Sequence, residues 1–200
     1  MFAAIASLVA AACTAAPYGK GELHTVPKVD LKRYTGKWYE IATIPSWFQK
    51  GCVGTTAEYS MREDGAIRVE NTCREKALDG APRSIVGKAW VTDSATNAKL
   101  DVQFFWPFSG AYWIIELDPD YQYAVVGHPS RDYLWVLART PQISDPLYGE
   151  LLRKAQQQGY DIGRVKRTLQ PVSQPATTRS GMDGLSVSPS IDSKPARSCC

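Results

Sequence analysis

From Gly36 onward the chain alternates, with Trp38, Glu40 and Ala42 on one side and Tyr39 and Ile41 on the other. A period of two marks a strand with one face buried. The pattern returns over residues 53–61, 66–74, 84–92, 100–106, 112–117, 121–126 and 132–139. It is clearest in the fifth run, where Leu100, Val102, Phe104 and Trp106 alternate with Asp101 and Gln103. The links between runs are short. Arg62-Glu63-Asp64-Gly65 supplies the positive φ of a hairpin turn, and Asp118-Pro119-Asp120 makes another turn. Pro45 to Gly51 interrupts the first strand with a loop carrying Trp47 and Phe48. Eight meandering strands predict an all-β protein, an eight-stranded antiparallel up-and-down β-barrel, because closure removes exposed edges.

The period then changes. Ser144-Asp145-Pro146 reads as a capped helix start, Leu147, Leu151, Leu152 and Ala155 follow at helical spacing, and Gly159 stops the run. One amphipathic helix over about 145–158 is expected to flank the barrel wall. Residues 162–169 are expected to add a short strand. Ahead of the first strand, Asp30 caps a short turn whose Leu31 and Tyr34 cover the barrel floor.

The ends differ from this core. Residues 1–12 are small and apolar, too short to span a bilayer, and read as an export signal. Cys13 follows directly and is either acylated or simply the residue after a cleavage site. Residues 13–28 read as a tether, residues 29–171 as the barrel with its helix, and 172–200 as a disordered Ser-, Pro- and Thr-rich tail ending in Cys199-Cys200.

Composition narrows the function. The chain has 200 residues, 44% hydrophobic and 22% charged, as in a soluble globular protein. A net charge of +3 with no Lys/Arg cluster argues against a nucleic-acid partner. There are two histidines, His24 and His128, neither on a lumen-facing strand position. The sequence holds no nucleophile elbow, zinc spacing or phosphate loop. No enzyme activity, cofactor or metal is therefore expected.

Gly36 lets the first strand bend sharply, and Trp38 is expected to plug the narrow end of the barrel. Arg139 shares a strand face with Trp135 and Leu137, and an Arg facing inward needs a partner. A guanidinium stacked on the Trp38 ring and donating to carbonyls of the first turn satisfies it. The segments Gly36-Lys37-Trp38-Tyr39-Glu40, Asp118-Pro119-Asp120-Tyr121 and Leu137-Ala138-Arg139-Thr140-Pro141 resemble the three motif regions of lipocalins. The likeness is to the bacterial outer-membrane lipocalins and the apolipoprotein D group, and runs from about Val29 to Pro171. Pro119 stands where Thr is usual before Asp120 and Tyr121. The resemblance implies a barrel with an apolar cavity that carries fatty acids, lysophospholipids or similar hydrophobes. It also implies an exported protein, tethered to the outer membrane through Cys13 or free in the periplasm.

With Trp38 inward, strand parity assigns Ala57, Tyr59, Val69, Asn71, Ile85, Val102, Phe104, Tyr112, Ile114, Glu116, Trp135 and Leu137 to the lumen, with Trp47 and Phe48 at its mouth. A carboxylate in such a cup, Glu116 or Glu40, is expected to have a raised pKa. Cys52 starts strand two and Cys73 ends strand three, so the hairpin between them predicts a disulfide, although simple register leaves them about three residues out of line. Two other readings remain open: a membrane-tethered scaffold using the outer wall, compatible with a homodimer, and a lipocalin-type isomerase with Cys73 as its thiol.

Overall fold

The computed structural model describes residues 21–172. The expectations for residues 1–12, Cys13, Cys199 and Cys200 lie outside the described residues. Eight strands meander antiparallel: β1 (Gly36–Thr43), β2 (Cys52–Met61), β3 (Ile67–Glu75), β4 (Pro82–Val91), β5 (Lys99–Phe105), β6 (Phe108–Leu117), β7 (Tyr123–Gly127) and β8 (Leu134–Ala138). Each pairs with the next, and β1 pairs with both β2 and β8, which closes the barrel. A short helix, α1 (Leu31–Tyr34), precedes β1, and α2 (Asp145–Gln157) follows β8. The expected strand over 162–169 is shorter: a 3-10 turn at Ile162–Arg164, then β9 (Lys166–Arg167).

Local sequence explains the caps. Asp30 accepts from the backbone N–H groups of Lys32 and Arg33 and starts α1. Ser144 accepts from the Leu147 N–H at the start of α2, with Pro146 in the first turn. Gly159, at φ +87°, turns the chain after α2.

Two apolar clusters divide the protein. One fills the lumen around Trp38, Tyr59, Val69, Leu100 and Ile114. The other lies outside the wall, where Leu151 and Ala155 of α2 pack on Ile115, Val125 and Val136. From Gly21 the segment expected to be a tether is a packed strap: Leu23 is buried under the outer cluster, and the Val26 N–H donates to the Ile114 carbonyl.

β1 and β2 pair only from Gly36↔Tyr59 to Tyr39↔Thr56. Above that they part, and the chain after β9 wedges between them. The Thr168 N–H donates to the Ile41 carbonyl and the Gly54 N–H to the Leu169 carbonyl. Gln170 Nε2 donates to the carbonyls of both Glu40 and Thr55, at 2.8 Å each. This wedge seals the seam with main-chain hydrogen bonds that would otherwise be missing.

Candidate functional site

The four connections β1–β2, β3–β4, β5–β6 and β7–β8 gather at one end of the barrel, the mouth. Helix α1 and the β6–β7 turn close the other. At that floor Trp38 is fully buried, and its Nε1 donates to the Tyr34 carbonyl at 2.8 Å. Arg139 lies over the Trp38 ring, 3.8 Å from its centroid, and donates to the carbonyls of Arg33, Lys37 and Tyr121 at 2.8, 2.9 and 3.2 Å. Gly36, at φ +90°, passes beneath this guanidinium, and a Cβ there would sit 3.4 Å from Arg139 Nη1. Tyr121 adopts φ +60°, accepts from the Asp30 N–H through its hydroxyl and carries the Arg33 guanidinium on its ring. In that turn it is Asp118, not Asp120, whose carboxylate accepts from the backbone, at Asp120 and Gln122.

Above the floor stands a layer of three tyrosines, of which strand parity places Tyr59 and Tyr112 in the lumen but not Tyr34. The Tyr112 hydroxyl lies 2.8 Å from that of Tyr34 and 2.9 Å from that of Tyr59. Burial raises all three phenols above their ordinary pKa, Tyr59 to about 12, so the layer is neutral. The free space between it and Leu31, Ile67, Leu100 and Ile114 is about 10 Å³, the room of one water molecule. The lower lumen is therefore packed.

The mouth half is different. Asn71, Ile85, Phe104 and Trp135 are only half-buried. Phe104 packs against Gly87, where a Cβ would meet the Gln103 carbonyl at 2.6 Å and the Phe104 ring at 2.7 Å. Trp135 stacks on Tyr133, and Tyr133 on Phe48, so an aromatic ladder leads from the rim inward. Trp47 is 82% exposed at its top. Ala57, Val69, Val102 and Leu137 join the lumen cluster.

Glu40 is the carboxylate of this lumen. It accepts from Gln49 Nε2 at 2.7 Å and Thr168 Oγ1 at 2.5 Å, and Gln49 in turn accepts from Trp135 Nε1. Burial raises its pKa, against the pull of those two hydrogen bonds. Glu116 is not in the lumen. The β6–β7 register slips between Ile114↔Val126 and Glu116↔Val125, and such a bulge reverses parity. Ile114 stays inside, Ile115 packs outside, and Glu116 reaches Lys154 of α2 at 2.8 Å. There it edges a groove of about 370 Å³ between α2 and the wall. A slip between Glu40 and Ala42 likewise moves Ala42 to the outer cluster. Trp106 also departs from its strand face: it sits on the β5–β6 tip, joined to Pro107 by a cis peptide bond, 86% exposed.

Cys52 and Cys73 form a disulfide with Cα atoms 5.4 Å apart. A bulge at Gly54 shifts the β2–β3 register from Thr56↔Thr72 to Val53↔Arg74 and Cys52↔Glu75. The offset between the two cysteines becomes two residues rather than three, which puts both on the same face.

Residues 29–170 match the lipocalin-like domain family. This chain is a lipocalin. It is 41% identical to the outer membrane lipoprotein Blc of Escherichia coli K12, over 86% of this chain and 96% of that protein. It is 40% identical to temperature-induced lipocalin-1 of Arabidopsis thaliana, over 84% and 94%, and 35% identical to mouse apolipoprotein D, over 70% and 76%. Insecticyanin from the tobacco hornworm shares the fold of this lipocalin, with a TM-score of 0.58 at 19% identity over 74% and 84% of the two chains.

Proposed function

We propose that this lipocalin carries a single-tailed hydrophobic molecule, of fatty acid or lysophospholipid type, in the mouth half of its barrel. The observation that supports this most directly is the half-buried lumen surface of Ile85, Phe104 and Trp135 above a packed floor. The tyrosine layer sets the depth: a tail ends against it, and the polar head stays at the rim. Each buried CH₂ adds at most about 0.8 kcal/mol, opposed by roughly 4–15 kcal/mol of association cost, so micromolar binding with loose selectivity is expected. The outer groove is a poorer home for a tail, since Glu116, Lys154, Gln157 and Gln158 edge it.

The kinship with Blc, named as an outer membrane lipoprotein, supports export and work at the outer membrane or periplasm, in lipid storage, transport or maintenance. Acylation of Cys13 belongs to the same reading. A thiol-dependent isomerase at Cys73 has less support, because that sulfur is tied up with Cys52. Native mass spectrometry of the exported chain tests the proposal: a co-purified single-tailed lipid at one per chain is expected. A chain that stays empty, and stays empty when such lipids are added, contradicts it.

A further inference from the structure

The exposed aromatics are not scattered. Among the described residues all five exposed Trp and Phe side chains, Trp47, Phe48, Phe105, Trp106 and Phe108, sit at the mouth end, on the β1–β2 loop or the tip of the β5–β6 hairpin. Leu78, on the β3–β4 connection, adds an exposed apolar group at the same end, while the remaining exposed ones, Met61, Val86, Leu169 and Val172, are aliphatic. A soluble surface rarely concentrates apolar groups this way without a partner. The two aromatic sets stand on the β1–β2 and β5–β6 connections, half the barrel circumference apart, with the lumen opening between them. Phe105 and Phe108 face each other across their hairpin.

We propose that this rim docks on a lipid bilayer, with both aromatic tips seated among the head groups and the lumen facing the membrane. Trp on protruding tips suits that depth, where the indole keeps its N–H wet, and the Phe rings beside it add apolar area. Two tips separated by an opening fit a deformable lipid surface better than a second copy of the chain, which needs one continuous face. The Gly21 carbonyl of the strap is held at the mouth end by Arg131 of the β7–β8 connection. Charges near the rim are mixed, with Lys50, Arg74 and Lys76 against Glu75 and Asp79. Docking is therefore driven by apolar burial and depends little on salt or on anionic lipid.

The carrier reading gives this surface its purpose, but the test contains no cargo, so the two stand or fall separately. The full chain is mixed with phosphatidylcholine vesicles that include lipid brominated on its acyl chains near the head group. Bromine quenches only tryptophans that enter the bilayer, so Trp47 and Trp106 report the rim even if the N-terminal segment also binds. Quenching is expected. Phe105→Ser with Phe108→Ser, which keeps both reporters, is expected to weaken partitioning about tenfold or more. Trp47→Ser, on the other loop, is expected to act in the same direction. Vesicle-bound protein without quenching overturns the proposal, as does partitioning unchanged in both variants. So does a rim-dependent dimer by sedimentation velocity that leaves vesicles untouched.

Discussion

The Arg139 guanidinium lies over the Trp38 indole, 3.8 Å from its centroid, while donating to the carbonyls of Arg33, Lys37 and Tyr121. One side chain thus covers the floor ring and ties β8, β1, the α1 segment and the β6–β7 turn together. Replacing it with Leu removes the stack and leaves three carbonyls without their donor. Arg139→Leu is expected to cost about 3 kcal/mol in urea unfolding. Arg139→Lys should recover less than half of that, since an ammonium cannot reproduce the planar fork.

Glu40 makes stability depend on pH. Its folded pKa is raised, so between the ordinary carboxylate value of about 4.3 and the folded value the native state holds the extra proton. Native stability from this group is present below that window and lost as pH rises through it. Urea unfolding at pH 4 and pH 7 should show the wild type losing more stability, or gaining less, than Glu40→Gln, since burial of His128 lowers its pKa and acts in the opposite direction. An equal pH slope in the variant would place the dependence elsewhere.

The disulfide spans 21 residues of sequence. Cys52→Ser with Cys73→Ser should cost about 3 kcal/mol by restoring freedom to the unfolded chain. Alkylation with and without reductant should show a mass difference of two labelled thiols.

Gly87 leaves room for Phe104 to lie along the wall. Gly87→Ala should crowd the Gln103 carbonyl of β5 as well as that ring, costing about 1–3 kcal/mol and weakening uptake of a fluorescent fatty acid. Wild-type stability and uptake in the variant would show that the ring has another place to go.

Much of this was legible in the strand pattern. Period-two runs and short turns imply the barrel, and the lone inward Arg139 needs Trp38 as its partner. Parity failed where backbone slipped. One extra residue near Ile115 turns Glu116 outward, and another near Ile41 turns Ala42; bulges of this kind leave no mark in an apolar-polar alternation. The tyrosine layer was half visible, since Tyr59 and Tyr112 face inward by period, but Tyr34 joins them only once α1 folds under the barrel. The Gln170 wedge was hidden for a related reason: its partners, Glu40 and Thr55, lie more than a hundred residues away and meet it only in the closed sheet.

On the proposed function, a hydrophobic tail enters the mouth half of the lumen and not the outer groove. Titration of a fluorescent sixteen-carbon fatty acid against the full chain and two variants tests it most directly. The wild type should saturate at one per chain in the micromolar range. Trp135→Arg should abolish saturation, while Glu116→Arg should leave it unchanged. Absence of saturable binding up to high micromolar, or loss of binding with Glu116→Arg instead of Trp135→Arg, would contradict the claim.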